Sequence, residues 1–385
     1  MKRLIAALAA VVFLVGFTFA QNTSTVTQSS STNNANVTQS GSNQTSSVLQ
    51  EGGNTNKITV NQTNNNGISQ TSNATQHGSN NIATIMQTQL NYSTATNNGV
   101  VLEQVGNNNK MTQKEYAPGY NSGQNETAHQ TGNYNVGSQN ILGGYTDSFT
   151  LTQMGGNYNT SSQTMNGNSN TAVVTQIGSN NKASQSVSGN NNGYYGNNAH
   201  SLGFGITQNG NNNSATQTVN STIGSSYSNH AVIESDGNNN NANQNLTGSS
   251  IGARITQDGN YNTAKQTDNG SNNSLLGFTS DISQNGSYNN ATTNQTGDDN
   301  TASIYQTHDH NIATLTQSDG LNAADFTQNG NTNTIHATQS FGSNIATASQ
   351  VGNTNLLNLT QAGGGGNTST TTQTGNANTA TVNQH

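Results

Sequence analysis

The feature that most constrains this chain is a glutamine that returns every eleven residues. From Gln284 the series runs through Gln295, Gln306, Gln317, Gln328, Gln339, Gln350 and Gln361 without a missed step. Gln373 follows one residue late, and Gln384 closes the series. The seven-residue units ending on Gln read NTASIYQ, NIATLTQ, NAADFTQ, NTIHATQ, NIATASQ, NLLNLTQ and NTATVNQ, each opening on Asn.

Alternate side chains of a β-strand share a face. That sorting puts Asn300, Ala302, Ile304 and Gln306 on one side and Thr301, Ser303 and Tyr305 on the other. It repeats in Asn311, Ala313, Leu315, Gln317 and in Asn322, Ala324, Phe326, Gln328. Asn355, Leu357, Leu359, Gln361 and Asn378, Ala380, Val382, Gln384 follow the same order, and Asn333, Gln339, Asn344, Gln350 and Gln373 take the corresponding places. One face is therefore amide, apolar, apolar, amide. A helix would scatter these residues around its axis, so period two holds.

Four residues separate successive units, which makes each eleven-residue unit one strand plus a short arc. Two units make one turn of a flattened coil. The pairing is marked by a Gly in the second place after alternate Gln residues: Gly52, Gly78, Gly106, Gly132, Gly155, Gly178, Gly210, Gly237, Gly259, Gly286, Gly330, Gly352 and Gly375. Ser30 and His308 stand in for it, and Ser235 once replaces the Gln. Gly allows the left-handed or close-packed backbone of a tight arc. The expected fold is an all-β solenoid with two strands per rung of about 22 residues and about fifteen rungs from Asn22 to Gln384. At a strand spacing of about 4.8 Å the stack is roughly 70 Å long.

Stacking also accounts for the amides. Asn lies over Asn and Gln over Gln, so their side chains are expected to bond along the stack. A buried amide left without a partner costs about 1–3 kcal/mol, and a ladder supplies that partner in every rung. One rung cannot cover its own faces, so stability comes from its neighbours.

Composition agrees with this. Only 28% of the residues are hydrophobic and 6% charged, with one Pro and no Cys. Disordered chains are also poor in apolar residues but tend to be rich in charge and Pro. A charge-poor Asn/Gln-rich chain suits stacked β-structure instead.

Residues 1–20, MKRLIAALAAVVFLVGFTFA, have a basic start, an apolar run and small residues at the end. They are read as a secretory signal peptide, leaving 21–385 as one solenoid domain. Removing Lys2 and Arg3 lowers the eight Lys and Arg to six against fifteen Asp and Glu, a formal net of −9. That leaves no basic footprint for nucleic acid. No other segment is long and apolar enough to span a membrane as a helix. Long arcs after Gln87, Gln113, Gln139, Gln185, Gln217 and Gln266 interrupt the middle of the chain, between the second strand of one rung and the first of the next. Gln217 and Gln266 come one inward position early.

These residues resemble the curlin repeat, the unit of the curli subunits that form functional amyloid on Gram-negative bacteria. Asn367, Gln373, Gly375, Asn378, Ala380 and Gln384 match its pattern in order, and Asn344, Gln350, Gly352, Asn355 and Gln361 do so with Leu357 in place of Ala. The resemblance implies an extracellular, cell-surface fibre subunit, exported across the outer membrane and serving adhesion and biofilm matrix. It implies a head-to-tail homopolymer, with a minor nucleator subunit and curli secretion and chaperone proteins as partners. Familiar curli subunits carry about five repeats, a third of the number here. They also have a non-repetitive secretion segment after the signal peptide, whereas Asn22 opens the first rung directly.

No catalytic pair, phosphate loop, cofactor site or metal site stands out, and the chain is not expected to be an enzyme. His308-Asp309-His310 falls in an arc without a further His or Cys near it in sequence and reads as a solvated turn. The alternative to a fibre is a soluble secreted solenoid, an ice-binding protein or adhesin, using outward Thr columns. Thr316, Thr338 and Thr360 keep such a column until Asn383, but the next one is broken by His336 and Asn358.

Overall fold

The structure is a computed structural model. It describes residues 21–64, 69–89, 98–117, 123–143, 147–190, 204–221, 229–271, 280–363 and 366–385. The expected signal peptide lies outside the described residues, as does most of each long arc in the middle of the chain.

Among the described residues there are thirty strands and no helix. They form two fifteen-stranded sheets, the first taking the odd-numbered strands in order and the second the even-numbered ones. We call these the leading sheet and the return sheet. Among the described residues the strands pair in parallel, because each turn of the coil runs in the same sense as the last; Thr301–Thr307, for example, lies level with Ala323–Asn329 and sets Gln306 beside Gln328. The expected two-strand solenoid is therefore the observed fold.

Alternation sorts the side chains as expected. In Thr301–Thr307 the residues Ala302, Ile304 and Gln306 are buried, while Tyr305 is exposed. The apolar residues of both sheets meet in one long core running from Val48 to Leu359. A second cluster, including Ile141, Phe149, Met165, Phe204 and Leu246, lies beside it in the middle of the chain.

That second cluster comes from a slip in the return sheet. Ile85 pairs with Gln113 and Gln87 with Glu115, so the glutamines from Gln113 onward stand two residues earlier in their strands. The slip is undone where Gln266 pairs with Thr293 and Asp268 with Gln295. Between these points the strands continue past Gln, and Ile141, Met165, Val187, Val219 and Leu246 are buried two places beyond it. The sequence alone predicts an arc directly after Gln139, Gln185 and Gln217. The strands run on instead, because burying those apolar residues removes them from water.

The arcs need two left-handed residues. Gly330 has φ +123°, and a Cβ there would overlap the carbonyl oxygen of Gly352 in the next rung. Two residues further on, Thr332 has φ +59°, and the same place is held by Asn80, Asn180, Asn212, Tyr261 and Tyr288 in other rungs. Asn is among the residues that tolerate this region best, whereas β-branched Thr is an outlier there. In the Gly-Gly arcs, Gly53 and Gly156, rather than Gly52 and Gly155, lie against the next rung's carbonyl. Those arcs contain one extra residue, which moves the close approach one place along.

Candidate assembly site: amide ladders and open end rungs

In the leading sheet the Gln side chains form a ladder of one direction. Each Nε2 donates to the Oε1 of the next rung, from Gln28 through Gln50, Gln76, Gln104, Gln130, Gln153 and Gln176 to Gln208, at 2.6–2.9 Å. Ser235 interrupts it but donates onward to Gln257 at 3.1 Å. The ladder resumes through Gln284, Gln306, Gln328 and Gln350 to Gln373 at 2.8–3.0 Å. The second N–H of each amide crosses to the other sheet, as Gln306 does to the Asn290 carbonyl at 3.2 Å. That carbonyl fixes which end of the amide is nitrogen, so the direction of the ladder follows from the fold.

The return sheet holds a similar ladder at each end of the chain. Gln39, Gln62 and Gln87 are linked at 2.8–2.9 Å, and Gln295, Gln317, Gln339, Gln361 and Gln384 at 2.8–2.9 Å. Gln113 through Gln266 form a separate central ladder.

The Asn column works differently from the amide-on-amide stack expected. Along the return sheet each Asn Oδ1 accepts the backbone N–H of the next Asn, as in Asn311 to Asn333 at 3.0 Å and Asn333 to Asn355 at 3.1 Å. Its Nδ2 typically donates to the next arc's carbonyl, as Asn333 does to Gly352 at 2.8 Å. Side-chain amides meet directly in Asn322–Asn300, Asn344–Asn322, Asn355–Asn333 and Asn378–Asn355, at 2.9–3.1 Å. The shorter Asn side chain reaches the strand's first backbone groups and ties the arc to the next rung.

A further ladder was missed in the sequence. The residue after each arc Gly accepts the backbone N–H of its counterpart one rung earlier, as Asn133, Asn238 and Asn353 do for Asn107, Asn211 and Asn331 at 2.8–2.9 Å. The recurrent Gly-Asn in QVGNNN, QTGNYN and QVGNTN was its signal. One place further, Tyr134 stacks on Tyr158 at 4.9 Å, and Tyr261, Tyr288 and His310 stack at 4.8 and 4.9 Å. His308-Asp309-His310 is thus part of the stacked arcs: Asp309 accepts the Ser287 N–H at 2.7 Å. Among the described residues no group of three or more His, Cys, Asp or Glu is placed to hold a metal ion.

Also missed were the buried carboxyls. Glu115, Glu126 and Asp147 are all buried within a few rungs of the first slip. Burial pushes Glu115 up to about 8 against the lowering effect of bonds from Gln87 and Asn98, and pushes Asp147 up to about 7. Glu126 is raised well above the usual carboxylate range, first by burial and then by the charge of Glu115.

Among the described residues nothing covers either end rung, and the two end rungs are alike. Ala35 and Val37 at one end, and Ala380 and Val382 at the other, pack on the core from one side and remain half-buried. Both end rungs carry Gln in the outer register, as Gln28 and Gln39 and as Gln373 and Gln384. The ladder direction leaves acceptor oxygens leading at the first rung and amide N–H groups leading at the last. No helix among the described residues is long and apolar enough to cross a membrane.

A family model described as the curlin associated repeat matches residues 279–307, which span one full rung and the next leading strand. No curated protein matches the chain. Carrying that repeat at 279–307 and stacking the same two-strand rung from Thr23 to Gln384, the chain fits a curlin-repeat protein with many repeats.

Proposed function

We propose that this chain is the structural subunit of a curli-type extracellular amyloid fibre, growing head to tail by templating on an open end rung. The match of the two end rungs carries the reading. Ala380, Val382 and Gln384 repeat the order Ala35, Val37 and Gln39, so a second copy can continue the stack in register. N–H groups at one end then meet oxygens at the other, which favours a polar fibre over an end-to-end dimer. Natural sheets guard open edges with charge, Pro or a covering segment. The last rung, NTSTTTQTGNANTATVNQH, contains neither Asp, Glu, Lys, Arg nor Pro.

In this reading residues 1–20 direct export, the ladders supply register, and the product is an adhesive matrix fibre. A nucleator subunit and secretion proteins are further partners that the resemblance suggests. The test is electron microscopy of purified residues 21–385 with an amyloid dye. Unbranched dye-binding fibres are expected. A chain that stays monomeric and dye-negative under all growth conditions would contradict the proposal and favour a soluble binding solenoid.

A further inference from the structure

The two broad faces of the solenoid carry opposite charge. Of the six Lys and Arg beyond residue 20, five stand on the outer face of the return sheet: Lys57, Lys110, Lys114, Lys182 and Lys265, all exposed. No Asp or Glu points outward from that sheet's described strands, since its two acids, Glu115 and Asp268, are buried. The leading sheet is the reverse. Glu51, Glu103, Glu234, Asp236, Asp258 and Asp325 alternate with its buried residues, and the single Arg254 is matched by the buried Asp281. Arg254 is held by Asp281 at 2.7 Å, which leaves the other outward acids of this face without a Lys or Arg beside them on the same sheet; Glu103 meets His129 at 3.0 Å.

The charges also share rungs. Glu51 and Lys57 belong to one rung, Glu103 with Lys110 and Lys114 to another, and Asp258 with Lys265 to a third. Glu51 and Lys57 flank the same arc. A copy displaced only perpendicular to the sheets would set its Lys57 over Glu51 of the first, whereas Lys265 stands two residues further along its strand than Lys57 does and reaches Asp258 from one side. Exposed apolar residues lie on both faces among these charges, Ile82 and Val136 on one and Val101 and Val173 on the other.

We infer that the acidic leading face of one solenoid docks on the basic return face of a second copy, with rungs level, so that filaments bundle side by side. The bundling of filaments rests on the head-to-tail reading, but the surfaces are on the flanks and not at the end rungs, so the two can fail separately. Fibre length reports on end growth, while fibre width reports on the flanks.

Wild-type chain is compared with Lys57→Glu/Lys110→Glu/Lys265→Glu and with Glu51→Lys/Glu234→Lys/Asp258→Lys. All six positions are outward-facing, and circular dichroism checks that each variant keeps its β-structure. Width by electron microscopy and pelleting at low speed are read at 0.1 M and 1 M salt, where the Debye length falls from about 10 Å to about 3 Å. Wild type is expected to bundle at 0.1 M and to lose at least about fivefold of its pelleted fraction at 1 M, because the attraction is screened. Each variant alone should stay as single filaments, or as monomers if end growth fails, and mixing the two should restore bundles. Bundles in either variant alone, widths unaffected by salt, or bundling only after dextran sulfate is added would overturn the inference.

Discussion

The side-chain amide of Gln87 donates to a carboxyl oxygen of Glu115 at 3.1 Å, where the return-sheet ladder from Gln39 meets a rung with no Gln in register. The two residues are level because the return sheet slips by two positions there. Glu115 is buried, its other oxygen has no hydrogen-bond partner, and Glu126, also buried, has neither oxygen paired. The basic residues of the same strand, Lys110 and Lys114, point outward. Burial raises both carboxyls above the usual range, so the slip favours their protonated form.

This gives a pH dependence of known sign. Between the ordinary 4.5 and about 8 for Glu115, and 3.8 and about 7 for Asp147, the unfolded chain binds fewer protons than the folded one. Stability is fully present below the ordinary carboxylate values and falls as pH rises through those windows, levelling off above the raised ones. Hydrogen exchange at pH 6 and pH 9 checks it. Residues 110–116 should open first at pH 9, and Glu115→Gln should flatten the difference.

How much of this could be read from the sequence follows from the symmetry of a strand. A one-residue slip turns every side chain to the other face, so alternation identified Ile304 and Gln306 as inward neighbours of Ala302. A two-residue slip keeps the same side chains inward and leaves no trace in alternation. That is why Gln217 and Gln266 look merely early in the sequence, and why Ile141 and Val187 fall in its expected arcs. The arc ladder was legible in Gly-Asn but was absorbed into general Asn richness. Glu115 and Glu126 stood at inward positions, yet nothing in a single strand shows that two acids from opposite sheets come close. The face charges needed each Lys and Asp to be placed on its sheet.

Glycines should divide by the space around them. Gly330→Ala must adopt φ near +123° against the Gly352 carbonyl, whereas Gly205 has open space around its Cβ position and no left-handed φ. Gly330→Ala is expected to cost about 1–3 kcal/mol, in line with other strained backbone positions. Gly205→Ala should be near neutral. Urea unfolding of the two variants before assembly makes the comparison, and equal losses would contradict the assignment.

The second left-handed place gives a stabilising substitution. Thr354 has φ +59°. Thr354→Asn puts a residue that tolerates this region there and should raise stability by up to about 1 kcal/mol. A thermal melt of the soluble chain tests it; a lower midpoint would show that the Thr makes compensating contacts.

The central claim is that the last rung is a growing edge whose inward face is copied by the next subunit, and one pair of variants tests it most directly. Val382 is inward and packs on the core, and Thr381 beside it is exposed. Val382→Asp puts an unpaired carboxylate into the apolar stack, where charge is strongly disfavoured. Thr381→Asp adds the same charge to solvent, where salt screens it. Wild-type seeds are elongated with each variant at 0.15 M salt, and growth is followed by dye fluorescence. Val382→Asp is expected to slow elongation at least about tenfold, the equivalent of 1.4 kcal/mol in the barrier, and Thr381→Asp less than about twofold. Equal rates, or a larger defect in Thr381→Asp, would contradict templating by this rung.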